Sequence, residues 1–79
     1  MAIYKNGNNL QQSQDGSFDT VHEPGAAVPH SGIYRCTGCG KEIVAESARQ
    51  FPSQNHHQHM PLRGAIRWQM IVYADHEPK

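Results

Sequence analysis

Two short stretches of this chain carry residue types that do chemistry. "YRCTGCG", residues 34–40, holds both of its cysteines, Cys36 and Cys39, with two residues between them. "QNHHQH", residues 54–59, holds His56, His57 and His59. A C-x-x-C turn chelates zinc for a geometric reason: the loop brings both sulfurs to one side, and its backbone N–H groups can point at them. Gly38 and Gly40 are expected to supply the backbone freedom that such a turn needs. A structural zinc takes four ligands in a tetrahedron, so two thiolates need two partners. Sixteen residues separate Cys39 from His56, and two separate His56 from His59, which gives C-x2-C-x16-H-x2-H. Cys36, Cys39, His56 and His59 are therefore the expected ligands of one structural Zn2+. His57 with His59 is the rival pair, because H-x-H in an extended segment also sets both rings on one side.

Two other readings compete. The thiols can be metal-free, in a well-formed turn beside a solvated histidine loop. Or they can be a redox pair, with Cys36 as the exposed nucleophile. A thioredoxin-type pair belongs at a helix N-terminus in a βαβ context, and the sequence offers none. A closed four-ligand zinc site leaves no position for water and hydrolyses nothing. Ser31, Ser47 and Ser53 have no Asp and His partners at recognisable spacing, and there is no P-loop, dinucleotide fingerprint or calcium loop. No catalytic residue is expected.

The balance of residues fits a stapled small domain. With 79 residues, 37% of them hydrophobic and 8% aromatic, the chain gains little from a core alone. A disulfide set, a structural metal or self-association is then expected, and one cysteine pair is too few for a disulfide scaffold. Seven Lys and Arg offset seven Asp and Glu. That argues against a strong grip on nucleic-acid phosphates and leaves a protein as the expected partner, with nucleic acid weakly supported. "MAIYKNGNNL" lacks the apolar core of a signal peptide, and Ala2 does not suit N-myristoylation. "MIVYA" is far too short to cross a bilayer, so no membrane role is expected. A cytoplasmic setting follows, where reduced thiols favour metal over a structural disulfide.

The elements that must position the cysteines read as β. "IYRC" and "KEIVA" flank the turn as two strands of a hairpin, residues 33–45, with Tyr34 and Cys36 on one face and Ile33 and Arg35 on the other. "KEIVAESARQF" can be forced into a helix, but β-branched Ile43 and Val44 directly after the turn favour a strand. "IRWQMIVYAD" alternates Ile66, Trp68, Met70 and Val72 with Arg67, Gln69, Ile71 and Tyr73, which predicts a strand with its Trp68 face buried. Trp68 reads as the central core aromatic. Upstream, Asn6-Gly7 predicts a type I′ hairpin turn between short flanks. "FDTVHE" predicts a short strand with Phe18 and Val21 available to a core. "PGAAVPHSG" is punctuated by Pro and Gly and reads as an ordered connector. The expected division is an N-terminal hairpin or flexible segment over 1–22, a β domain over 23–75, and a frayed tail over 76–79. The expected fold is mostly β: a small zinc-ribbon-like or SH3-like antiparallel sheet with long loops.

The stretch "PGAAVPHSGIYRCTGCGKEIVAESARQFP" resembles small bacterial zinc-ribbon or YjzC-like proteins built on P-G-x-x-x-P-x-S-G-x-Y-x-C-x-x-C-G, an apolar strand, then F-P. Pro24, Gly25, Pro29, Ser31, Gly32, Tyr34, Cys36, Cys39, Gly40, Phe51, Pro52 and Trp68 carry the match, over roughly residues 23–73. Residues 55–59, N-H-H-Q-H, also look like a stretch of the short enterobacterial proteins called protein L. In several zinc-ribbon-like relatives a second C-x-x-C follows the F-P; here "QNHHQH" stands in its place. The resemblance implies either that histidines took over the zinc, or that the metal was lost and a small β-barrel or SH3-like sheet remains. It implies no activity.

Overall fold

The computed structural model describes residues 1–52 and 66–75. Among these, four strands form one antiparallel sheet: β1 (Val21–His22), β2 (Gly32–Cys36), β3 (Glu42–Ala45) and β4 (Trp68–Tyr73), in the order β1-β4-β2-β3. The expected hairpin forms from β2 and β3, pairing Arg35 with Glu42 and Tyr34 with Ile43. The expected Trp68 strand lies against β2, with Cys36 opposite Trp68 and Tyr34 opposite Met70. Directly opposed residues share a face. One face of the sheet therefore gathers Tyr34, Cys36, Trp68 and Met70, all buried.

The period-2 reading of β4 holds through Met70 and then breaks. Ile33 pairs with Val72, but its neighbour Tyr34 pairs with Met70, so Ile71 is a surplus residue between two ladder rungs. Such a bulge reverses the side to which later residues turn. Val72 therefore lies opposite Ile33 instead of on the Trp68 face. Gly32 lies opposite Tyr73 at this crowded end, where a Cβ would collide with the Val72 carbonyl oxygen.

A second, smaller pairing closes the core. Residues 25–28 run antiparallel to residues 48–51: Val28 N–H donates to Arg49 O at 2.8 Å, and Phe51 N–H donates to Ala26 O at 2.9 Å. Pro24 and Pro29 bracket this segment, which is the ordered connector expected from "PGAAVPHSG". It delivers Val28 and Phe51 onto the face carrying Tyr34, and both are buried. Tyr34 is the hub: its ring meets Phe51 edge-on at 4.8 Å, and its hydroxyl donates to His30 O at 2.6 Å. Trp68 is fully buried, as a core aromatic should be.

The N-terminal part departs from its reading at two places. Asn6-Gly7 opens a 3-10 turn, Gly7–Asn9, and Asn6 has φ −117°. A type I′ turn needs positive φ at both central residues. The flanking Ile3, Tyr4 and Leu10 are exposed, so no buried face supports a pair of strands there. Further on, Asp15 caps a second 3-10 turn, Gly16–Phe18, by accepting the Ser17 N–H at 2.9 Å. Phe18 packs on the core and its carbonyl accepts from Gln69 Nε2 at 2.7 Å. The short strand expected in "FDTVHE" forms as β1, but Val21 is exposed, and His22 turns inward to stack on Phe51 at 5.1 Å. No helix among the described residues is long and apolar enough to cross a membrane.

Candidate metal site at the cysteine turn

Residues 37–41 link β2 to β3. Two backbone bonds close the loop: Cys36 N–H donates to Lys41 O at 2.7 Å, and Gly40 N–H donates to Cys36 O at 2.8 Å. Gly40 has φ +83°, the left-handed conformation that glycine adopts at no steric cost. Gly38 was expected to need the same freedom, but among the described glycines the positive φ values are at Gly25 and Gly40. The Arg35 guanidinium lies over Gly40, and a Cβ there would sit 3.1 Å from Nη2.

Strand parity separates the two cysteines. Cys36 ends β2 on the core face and is 0% exposed, whereas Cys39 rides the loop and is only partly buried. In the redox reading Cys36 was to be the exposed nucleophile; the structure gives that position to Cys39. Burial pushes the Cys36 thiol up. Backbone N–H groups of Arg67, Cys39 and Gly38, together with the Cys39 side chain, donate to its sulfur and outweigh that cost. The net effect holds Cys36 below its ordinary pKa. Hydrogen bonds to the charged form favour that form. Arg67 also accepts the Thr37 N–H at 2.9 Å, so the residue leading into β4 braces the turn.

A hollow of about 370 Å³ opens beside the turn, lined by Arg35, Cys36, Thr37, Cys39, Gln69 and Ile71 among others. Thus two of the four expected ligands, Cys36 and Cys39, are brought together. His56, His59 and the rival His57 lie outside the described residues. Among the described residues no group of three or more His, Cys, Asp and Glu side chains is placed to hold a metal. His22 and His30 face other neighbours: His22 packs on Phe51 and Tyr34, and His30 meets Tyr73. The donor set still suits a thiophilic cation. One sulfur sits among N–H donors that favour its negative charge, and a second lies one turn away with access to solvent.

Sequence reasoning missed Arg67, because its part is played by its backbone, which residue identity does not announce. It also missed the inward role of His22, whose signal was a single histidine in a two-residue strand.

No protein-family model matches the chain, and no solved structure does. One curated protein decides what the chain can be compared with. The chain is similar to Protein L of Escherichia coli. The two are 59% identical over 54 residues, which is 68% of this chain and 61% of Protein L. The chain thus spans about three fifths of the length of this relative. The likeness to Protein L supports the enterobacterial resemblance. The zinc-ribbon resemblance rests on the cysteine turn and its flanking residues.

Proposed function

We propose that this protein is a small, non-catalytic zinc-binding module whose task is interaction with another protein. One Zn2+, held by Cys36, Cys39, His56 and His59, ties the cysteine turn to the segment after Phe51 and substitutes for a larger core. The observation that carries this reading is the convergence of three backbone N–H groups on the Cys36 sulfur. Such donors stabilise a thiolate whether a metal or a proton competes for it, and zinc binds thiolate. The histidines enter from their spacing. His59 stands eight residues before Arg67, whose backbone touches the turn. Eight extended residues span up to about 28 Å, ample reach for a ligand. The sheet's second face supports a protein partner, since Val44 is 81% exposed and Ile33 and Ile71 are only partly covered.

Native mass spectrometry tests this on protein expressed with zinc and purified without chelator. One bound zinc is expected, lost in Cys36→Ser and Cys39→Ser and weakened in His56→Ala and His59→Ala. Full zinc in His56→Ala, with zinc weakened in His57→Ala and His59→Ala, would put the rival pair, His57 and His59, in its place. Absence of zinc from the wild-type protein would end the reading.

One observation favours a second reading, a metal-free β interaction module. Among the described residues, Tyr34, Phe51, Trp68 and Met70 belong to one buried apolar cluster. That reading expects a melting temperature indifferent to chelator.

A further inference from the structure

We infer that Cys36 and Cys39 are also a modification site: a reversible disulfide formed by exchange with a small-molecule disulfide, with Cys39 reacting first as nucleophile and Cys36 closing the bond. The roles follow from placement. Cys39 is only partly buried and lines the hollow of about 370 Å³, the side from which a glutathione-type reagent would approach its sulfur. Cys36 borders the same hollow but is 0% exposed, so the distinction between the two sulfurs lies in their burial, which shields Cys36 from a bulky reagent. The Cys39 side chain hydrogen-bonds the Cys36 sulfur, so the two sulfurs are neighbours within one turn. The Arg35 guanidinium lies over Gly40 at the same hollow, offering positive charge to an anionic reagent such as glutathione disulfide.

The exchange runs in two displacements. Cys39 gives its thiol proton to water, and its sulfur attacks one sulfur of the small disulfide. That S–S bond breaks, and the first glutathione leaves as thiolate and takes up a proton. The Cys36 sulfur then gives up its proton and attacks the Cys39 sulfur. The mixed disulfide breaks and the second glutathione leaves in the same way. Two protein thiols have lost two electrons, and one glutathione disulfide has become two thiols. Excess glutathione thiol reverses both steps. The inference rests on the proposed zinc reading in one respect only: a disulfide removes both thiolate ligands, so bound zinc is released.

The test uses the full chain, reduced and stripped of zinc with EDTA, then mixed with oxidised glutathione and acid-quenched at intervals. Intact mass should fall by two hydrogens, and the early mixed disulfide should map to Cys39 by peptide analysis of the wild-type protein. Cys36→Ser should accumulate the adduct on Cys39, and Cys39→Ser should acquire one on Cys36 at least about tenfold more slowly, as access dictates. Early adduct on Cys36 in the wild-type protein, or an adduct that never closes, would overturn the inference. A parallel sample loaded with zinc separates the two readings. Zinc bound but no disulfide formed on its removal refutes the switch alone. A disulfide formed in protein that never binds zinc refutes the metal reading alone.

Discussion

The Arg67 backbone N–H donates to the Cys36 sulfur, so the residue leading into β4 supports a thiol on a hairpin more than thirty residues upstream. The adjoining carbonyl of the same residue takes the Thr37 N–H at 2.9 Å. The turn is thus braced by main chain and not by the arginine side chain. That side chain reaches Ile66 O at 2.7 Å and a half-exposed contact with Glu23 at 3.9 Å.

Arg67→Ala should therefore keep zinc affinity within a few-fold, because an exposed ion pair contributes about 1 kcal/mol or less. Arg67→Pro removes the N–H donor and should weaken zinc about tenfold or more, in line with a hydrogen bond to a charged group. Competition with a chromophoric chelator measures both. Equal affinities in the two variants would show that the bond does not tune the site.

Metal removal gives the second expectation. If zinc staples the turn, chelator should lower the melting temperature of the wild-type protein, since metal binding is linked to folding. Cys39→Ser should melt low with or without chelator. Cys36→Ser should do the same and lose further stability, because it puts a hydroxyl at a fully buried position. Thermal melts of the three proteins, with and without EDTA, supply the comparison. A wild-type curve unmoved by EDTA would point to the metal-free module.

Acid sensitivity has a source separate from zinc. Burial against Tyr34 and Phe51 lowers the His22 pKa, and the nearby His30 lowers it further. The unfolded chain then binds more protons than the folded one below the ordinary His value of about 6.5. Stability contributed by neutral His22 is complete above that value and is lost as pH falls from there toward the folded pKa. Urea midpoints of zinc-free protein should fall across that window. In His22→Phe the fall should shrink; an unchanged pH profile would remove His22 as its source.

Gly32→Ala should destabilise the sheet severely. The new Cβ meets the Val72 carbonyl oxygen, a backbone atom that cannot swing aside. Overpacking of this kind costs about 1–3 kcal/mol, and more where backbone must move. Urea denaturation at neutral pH measures it. Gly16→Ala, where nothing lies within 4 Å of the added atom, serves as the control.

Much of the fold could be read from the chain because its signals were local. Ile33 to Cys36 and Ile66 to Met70 alternate cleanly; the first lies in β2, the second leads into β4 from Trp68, and both bury one side in the core. The turn between Cys36 and Lys41 could be placed from its glycines and its cysteine spacing. What escaped was set by partners far along the chain. The surplus at Ile71 exists only relative to the ladder of β2, and no composition marks it. The orientation of Val21 and His22 was fixed by pairing with Gln69 and Trp68. Asn6-Gly7 had the residues for a hairpin but lacked a buried surface to hold one together. At the site, spacing found the cysteine pair. The distinction between an inner and an outer sulfur came from joining the parity of β2 to the buried Trp68 face.

The surplus residue at Ile71 makes β4 two half-strands out of phase. The first half, from Trp68 to Met70, answers to the interior. The second hands Tyr73 to the neighbourhood of His30, whose ring lies 5.5 Å away. Because its carbonyl accepts the Tyr34 hydroxyl, His30 joins that far end to the hub of the core. Removing one residue at position 71 would do more than shorten the strand. It would take out the step itself: Val72 would stay opposite Ile33 and Tyr73 opposite Gly32, now in an unbroken ladder, and the extra local twist that the surplus residue gives the strand would go with it.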